Sequence, residues 1–131
     1  MKHKPIKLLV VDDCENIRDL MYLTFKRQPN IQLFEAVNAE EGFSKYQEID
    51  PDIVFTDIMM SGEYDGVELC RMIKEINPAC PLILISGNTY DIQKGLAAGA
   101  NLFKTKPFSP RDLITVVQQF FDSKEPVVEG K

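Results

Sequence analysis

The sequence predicts an α/β domain in which five parallel strands form one sheet with helices on both faces. Three observations carry this prediction. Short apolar runs without polar alternation recur along the chain, as in Ile53-Val54-Phe55, and such runs suit strands buried on both faces. Between them lie stretches with apolar residues at i, i+3, i+4 and i+7, the period of a helix with one buried stripe. The two kinds alternate five times, which implies right-handed crossovers between neighbouring strands.

Taken in order, Ile6 to Val11 is the first strand and runs straight into Asp12-Asp13. Asp13 is placed to cap the first helix, whose stripe is Ile17, Leu20, Met21 and Thr24, and Pro29-Asn30 ends it. Ile31 to Val37 alternates more in polarity and so belongs nearer a sheet edge. Asn38 and Glu41 form a capping-box-like start to the second helix, with Ala39, Gly42, Phe43 and Tyr46 on one face and Pro51 marking its end. Asp52 to Asp57 holds the third strand, which finishes on a carboxylate. Asp65, with Glu68 three residues on, caps the third helix, whose stripe is Leu69, Met72, Ile73 and Ile76. Pro81 to Ile85 is the fourth strand, followed by Ser86-Gly87. A weaker helix from about Thr89 to Ala98 contains Gly95 and closes at Gly99, a residue suited to a left-handed cap. Asn101 to Thr105 is the fifth strand, ending at Lys106-Pro107. Ser109 as N-cap and Pro110 at the first helical position open the last helix, whose stripe is Leu113, Val116, Val117 and Phe120. Ser123 to Lys131 has no helical period and reads as a flexible tail.

A chain of 131 residues with 44% hydrophobic and 27% charged residues is one ordinary globular domain. No apolar run approaches the roughly 20 residues of a membrane span, so a cytoplasmic protein without membrane insertion is expected. A net charge of −5 and the lack of a basic stripe argue against direct nucleic-acid binding and for protein partners. Cys14, Cys70 and Cys80 are odd in number, lack CxxC spacing and are expected to be reduced. His3 is the only histidine and lies at a terminus, which weighs against a histidine base.

The functional signal lies at the strand ends. In open α/β sheets ligands bind outside the carboxyl ends of the strands. There the first, third, fourth and fifth strands deliver Asp12-Asp13, Asp57, Ser86 and Lys106. Singly each has an ordinary explanation as a cap, a turn residue, a strand-end hydroxyl or a solvated lysine. Together they form one cluster drawn from four segments. Two carboxylates 4 Å apart repel by about 4 kcal/mol at an effective dielectric near 20, so three converging acids imply a cation. Oxygen-only ligands favour a hard divalent ion such as Mg²⁺, commonly held by carboxylates together with phosphate oxygens. Lys106 is then a point charge for a phosphoryl oxygen, Ser86 a hydroxyl donor to another, and Asp57 the nucleophile that forms an aspartyl-phosphate.

These residues, with Lys106-Pro107-Phe108 after the fifth strand, closely resemble the response-regulator receiver domain of two-component signalling, from about Ile6 to Phe121. The resemblance implies a flavodoxin-like (βα)5 sheet of strand order 2-1-3-4-5, with the domain at 5–122 and the tail at 123–131. It implies a signalling switch, not an enzyme in the usual sense. Asp57 would take a phosphoryl group from a sensor histidine kinase or phosphotransfer protein, and the chain would assist its own phosphorylation and dephosphorylation. Asp13 would ligate Mg²⁺ directly, Asp12 through water, and the backbone carbonyl of Met59 would add a ligand. Ser86 and Lys106 would bind phosphoryl oxygens. Ser86 and Phe103 would form the switch, changing how a downstream protein target binds the surface around the fourth helix, fifth strand and last helix. Met59 and Asn88 would tune hydrolysis of the phosphoryl group.

The chain departs from the family pattern in two places. After the acceptor, Asp57-Ile-Met-Met-Ser61-Gly-Glu-Tyr-Asp65-Gly66 has serine where proline is usual, and one extra residue. Asn101-Leu102 replace acidic residues often found there, so the dimer mode of transcription-factor receivers is not expected; a monomer or weak dimer is. The alternative function is a Mg²⁺-dependent aspartyl-phosphate phosphohydrolase. Such enzymes usually need a second carboxylate two residues after the nucleophile, where this chain has Met59. A flavin-binding module would need a Ser/Thr/Gly-rich phosphate loop where Asp12-Asp13 stand.

Overall fold

Strands and helices alternate without exception along the computed structural model, which describes residues 5–60, 62–87, 92–106 and 108–121. The order is β1 Ile6–Val11, α1 Glu15–Phe25, β2 Ile31–Ala36, α2 Ala39–Ile49, β3 Ile53–Asp57, α3 Gly66–Ile76, β4 Leu82–Ser86, α4 Ile92–Ala97, β5 Leu102–Thr105 and α5 Pro110–Phe121. All strand pairs are parallel, as the apolar runs predict, and the sheet order is β2-β1-β3-β4-β5, as the family resemblance implies. The alternating run forms β2 at an edge. The continuous apolar runs form β3 and β4, in which every residue is buried.

Each face of the sheet has its own core. Leu8, Val10, Ile53, Phe55, Ile83 and Ile85 face Met21 and Phe25 of α1 and Leu113, Val116 and Val117 of α5. Leu9, Val11, Val54, Leu82 and Leu84 face Ala39 and Tyr46 of α2 and Leu69, Cys70 and Ile73 of α3. Phe25 and Phe55 meet edge to face, with ring centroids 6.4 Å apart. The two-residue period of a strand therefore fixes which way each terminal side chain points. Asp57 follows Ile53 and Phe55 toward the α1/α5 side, whereas Ser86 follows Leu82 and Leu84 toward the other.

Most helix starts follow the sequence. The Asn38 side chain accepts from Glu41 N–H at 2.8 Å, and Glu41 Oε1 accepts from Val37 N–H at 2.7 Å. The Asp65 side chain accepts from Glu68 N–H at 2.9 Å. Ser109 and Asp112 exchange reciprocal bonds at the start of α5, in the manner of a capping box. Gly99 has φ +105°, the left-handed conformation expected of it. The first helix differs: its N-cap is Cys14, without a side-chain bond, and not Asp13. The Asp12 carboxylate instead accepts from Cys14 N–H at 2.9 Å, a local turn that keeps Asp13 outside the helix. Ile76, expected in the α3 stripe, is 53% exposed because the last turn of α3 runs past the core.

Candidate functional site

The β1 and β3 tips bring their acids together. One carboxylate oxygen each from Asp12, Asp13 and Asp57 lies within 4.8 Å of the others. Asp12 and Asp57 are buried, at 1% and 6% exposure, whereas Asp13 is exposed. Asp57 Oδ1 accepts from Ile58 N–H at 3.0 Å and stands 3.4 Å from Lys106 Nζ. Lys106 is placed by its own backbone, whose N–H donates to the Ser86 carbonyl at 2.8 Å and so extends the β4–β5 ladder past Ser86 and Thr105.

Burial opposes ionisation of two of these acids. It raises the Asp12 carboxyl from 3.8 to about 6; the Cys14 N–H bond opposes the rise, and the charge of Asp57 adds to it. The Asp57 carboxyl is raised as well, first by burial, with Lys106 the largest opposing influence. Three acidic side chains face a single basic one. The donor set fits a hard divalent cation, because it is all oxygen, closely spaced and partly open to water through Asp13.

The other expected site residues occupy distinct places. Ser86 is buried at 1% exposure at the tip of β4. Phe103 is half-buried on β5, opposite Leu84 in register, and packs against the same side of the sheet toward which Ser86 points. Met59 is 68% exposed in the loop after β3. Asn88 and Pro107 lie outside the described residues, as do His3 and the tail at 123–131. The cysteines are free; Cys70 and Cys80 are buried, and burial raises each thiol to about 11.

Three features of the site are not marked by sequence spacing. Thr56, fully buried beside Asp57, donates its hydroxyl to the Asp57 carbonyl at 3.0 Å. Gly66 donates its N–H to the Ile58 carbonyl at 2.8 Å, and a Cβ there would stand 2.0 Å from the Asp57 carbonyl oxygen. Arg18 donates from Nη1 to the Asp12 carbonyl at 2.6 Å, with its Nε 3.5 Å from Glu35 on β2.

Carboxylates, a hydroxyl and a lysine thus stand at the strand tips of a parallel α/β domain, the edge at which such sheets bind their ligands. The chain belongs to the response regulator receiver domain family, which it matches over residues 8–118. It is 38% identical over 114 residues to the transcriptional regulatory protein ResD of Bacillus subtilis (strain 168), covering 86% of this chain and 46% of that protein. It is 32% identical over 109 residues to the alkaline phosphatase synthesis transcriptional regulatory protein PhoP of the same organism, covering 82% of this chain and 45% of that protein. The chain thus spans about half the length of these curated relatives. A CheY-like response regulator receiver domain protein from Methanospirillum hungatei JF-1 superposes with a TM-score of 0.85 at 25% identity, covering 93% of this chain and 98% of that one. Among the described residues, no helix is long and apolar enough to cross a membrane.

Proposed function

We propose that this chain is a phosphorylation-dependent switch in which Asp57 accepts a phosphoryl group from the phosphohistidine of a sensor histidine kinase or phosphotransfer protein. The observation that carries this reading is the Asp57 carboxylate at the sheet's carboxyl edge, 3.4 Å from Lys106 and grouped with Asp12 and Asp13. An Asp57 oxygen forms the new bond to phosphorus as the phosphorus–nitrogen bond breaks, and the imidazole nitrogen keeps the electron pair. Asp12, Asp13, Asp57 and the Met59 carbonyl would hold Mg²⁺, which when bound offsets the charge of the phosphoryl oxygens. Lys106 holds one phosphoryl oxygen by charge and Ser86 another through its hydroxyl. The Ile58 N–H fixes the acceptor carboxylate before the partner arrives.

Ser86 and Phe103 act as the switch. As Ser86 turns toward the phosphoryl group, the Phe103 ring fills the space left on their shared side of the sheet. The surface of α4, β5 and α5 then changes for a downstream protein target. Phe103 has no hydroxyl, so this rotation depends on packing alone. Met59 and Asn88 tune hydrolysis of the aspartyl-phosphate, which the domain itself assists. The functional unit is residues 5–122, acting in the cytoplasm as a monomer or weak dimer.

Incubation with acetyl phosphate and Mg²⁺, followed by intact-mass measurement, tests this reading. One added phosphoryl group on the wild type and none on Asp57→Asn is the expected result. Continuous turnover of a phosphoester would favour a phosphohydrolase instead.

A further inference from the structure

Both backbone polar groups of Asp12 are tied down. Its N–H donates to the Ala36 carbonyl at 3.1 Å, which continues the β1–β2 ladder one residue past the strand. Its carbonyl accepts from the Arg18 guanidinium of α1 at 2.6 Å, a charge-assisted bond. Arg18 is anchored at its other edge, where Nε faces Glu35 Oε1 at 3.5 Å. Only 15% of the Arg18 side chain is exposed, so this bond is sheltered from competing water. Glu35 is held in turn, because Lys45 Nζ donates to its backbone carbonyl. A chain of contacts therefore runs from α2 through edge strand β2 and α1 to the peptide that joins Asp12 to Asp13.

That peptide matters for the chemistry. Asp12 is buried and Asp13 exposed, yet their carboxylate oxygens must approach one another and Asp57 closely. Adjacent side chains on an extended backbone point to opposite sides, so bringing both acids to one ion requires the linking peptide to be turned and kept turned. The Asp12 Oδ1 bond to Cys14 N–H bends the chain there, and the guanidinium on the carbonyl fixes the plane of the bend.

We propose that Arg18 is a positioning residue for the metal-binding acids: by clamping the Asp12 carbonyl it presets the spacing of the Asp12 and Asp13 carboxylates. The inference rests on the function proposed above. Arg18 touches neither ion nor phosphoryl group, and its influence passes through the backbone of Asp12. A planar guanidinium serves the carbonyl and Glu35 together, whereas a lysine ammonium reaches one of them.

Isothermal titration of the full chain with Mg²⁺, run well below the unfolding temperature of each variant, reads this directly. Arg18→Met raises the Mg²⁺ dissociation constant about tenfold, the lower end of the effect of removing an outer partner of a metal site. Arg18→Lys gives a smaller rise. In the acetyl phosphate reaction, the Mg²⁺ concentration for half-maximal labelling rises by the same factor, while the rate at saturating Mg²⁺ stays within about twofold. A general loss of stability would not produce that split. An unchanged Mg²⁺ affinity in a folded Arg18→Met, or a fall in the saturating rate alone, overturns the inference. Should Arg18→Met fail to fold, Glu35→Ala decides, since it removes the carboxylate that anchors Nε and leaves the carbonyl bond: a rise in the Mg²⁺ dissociation constant supports the clamp and no change overturns it. Wild type that binds no Mg²⁺ would instead refute the function on which the inference rests.

Discussion

Asp12→Asn should stabilise the protein at neutral pH while removing one of the carboxylates proposed to hold Mg²⁺. Burial raises the Asp12 carboxyl from 3.8 to about 6, and at about 1.36 kcal/mol per pH unit this corresponds to about 3 kcal/mol spent on ionising it in the fold. An asparagine oxygen can still accept the Cys14 N–H bond, and its amide carries a smaller burial cost, so a net gain of about 2 kcal/mol is expected. The sign follows from linkage. The folded-state value lies above the unfolded one, so the native state binds the extra proton between about pH 4 and 6. The wild type therefore loses stability as pH rises through that window, and the loss is complete above it. The advantage of the variant is near zero at pH 4 and full at pH 7.5. For a chain of this size it amounts to about 6 °C in melting temperature. Thermal or urea unfolding at both pH values without divalent ions, compared with the wild type, is the assay. With Mg²⁺ at tenfold its dissociation constant the wild type should recover about 1.4 kcal/mol and the variant much less. A variant no more stable at pH 7.5, or one whose advantage is the same at pH 4, would refute the claim that a buried, ionised Asp12 is costly without a cation.

Two further outcomes follow from the same cluster. In Lys106→Met the Asp57 carboxyl loses the largest influence opposing burial, so its titration, followed by carboxyl ¹³C NMR, should move to higher pH; a shift to lower pH would show that Lys106 does not set it. Met59→Asn should shorten the life of the phosphorylated form, timed by the decay of the phosphorylated mass, because apolar bulk that hinders the attacking water is replaced by an amide; an equal or longer lifetime would contradict this.

Much of the fold is legible because burial on both faces leaves a distinctive record. Ile53-Val54-Phe55 and Leu82 to Ile85 could hardly be anything but central strands, and the helices between them carry caps whose partners sit three residues on. The acid–lysine cluster is legible for a related reason: a parallel sheet sends all its strand ends to one edge, and there Asp12, Asp13, Asp57 and Lys106, each ending an apolar run, come together. What the spacing hides are contacts made by long or backbone groups. The Asp12 side chain, by taking the Cys14 N–H, displaces Asp13 from the capping role that its position invites. Arg18 finds the Asp12 carbonyl through a flexible stem whose reach no periodicity records. Gly66 is demanded by the nearness of the Asp57 carbonyl, a neighbour nine residues away in sequence.

The Gly66 contact also bears on the extra residue between Met60 and Asp65. Because the Gly66 N–H is bonded to the Ile58 carbonyl, the segment between these two residues is closed at its base like a purse, and Gly62, Glu63 and Tyr64 lie on the outside. Added length there falls in an exposed turn that rests on Glu40 of α2 through the Glu63 N–H, outside the closure and away from β3. A reporter peptide spliced into this turn is therefore expected to leave the residues at the strand tips in register.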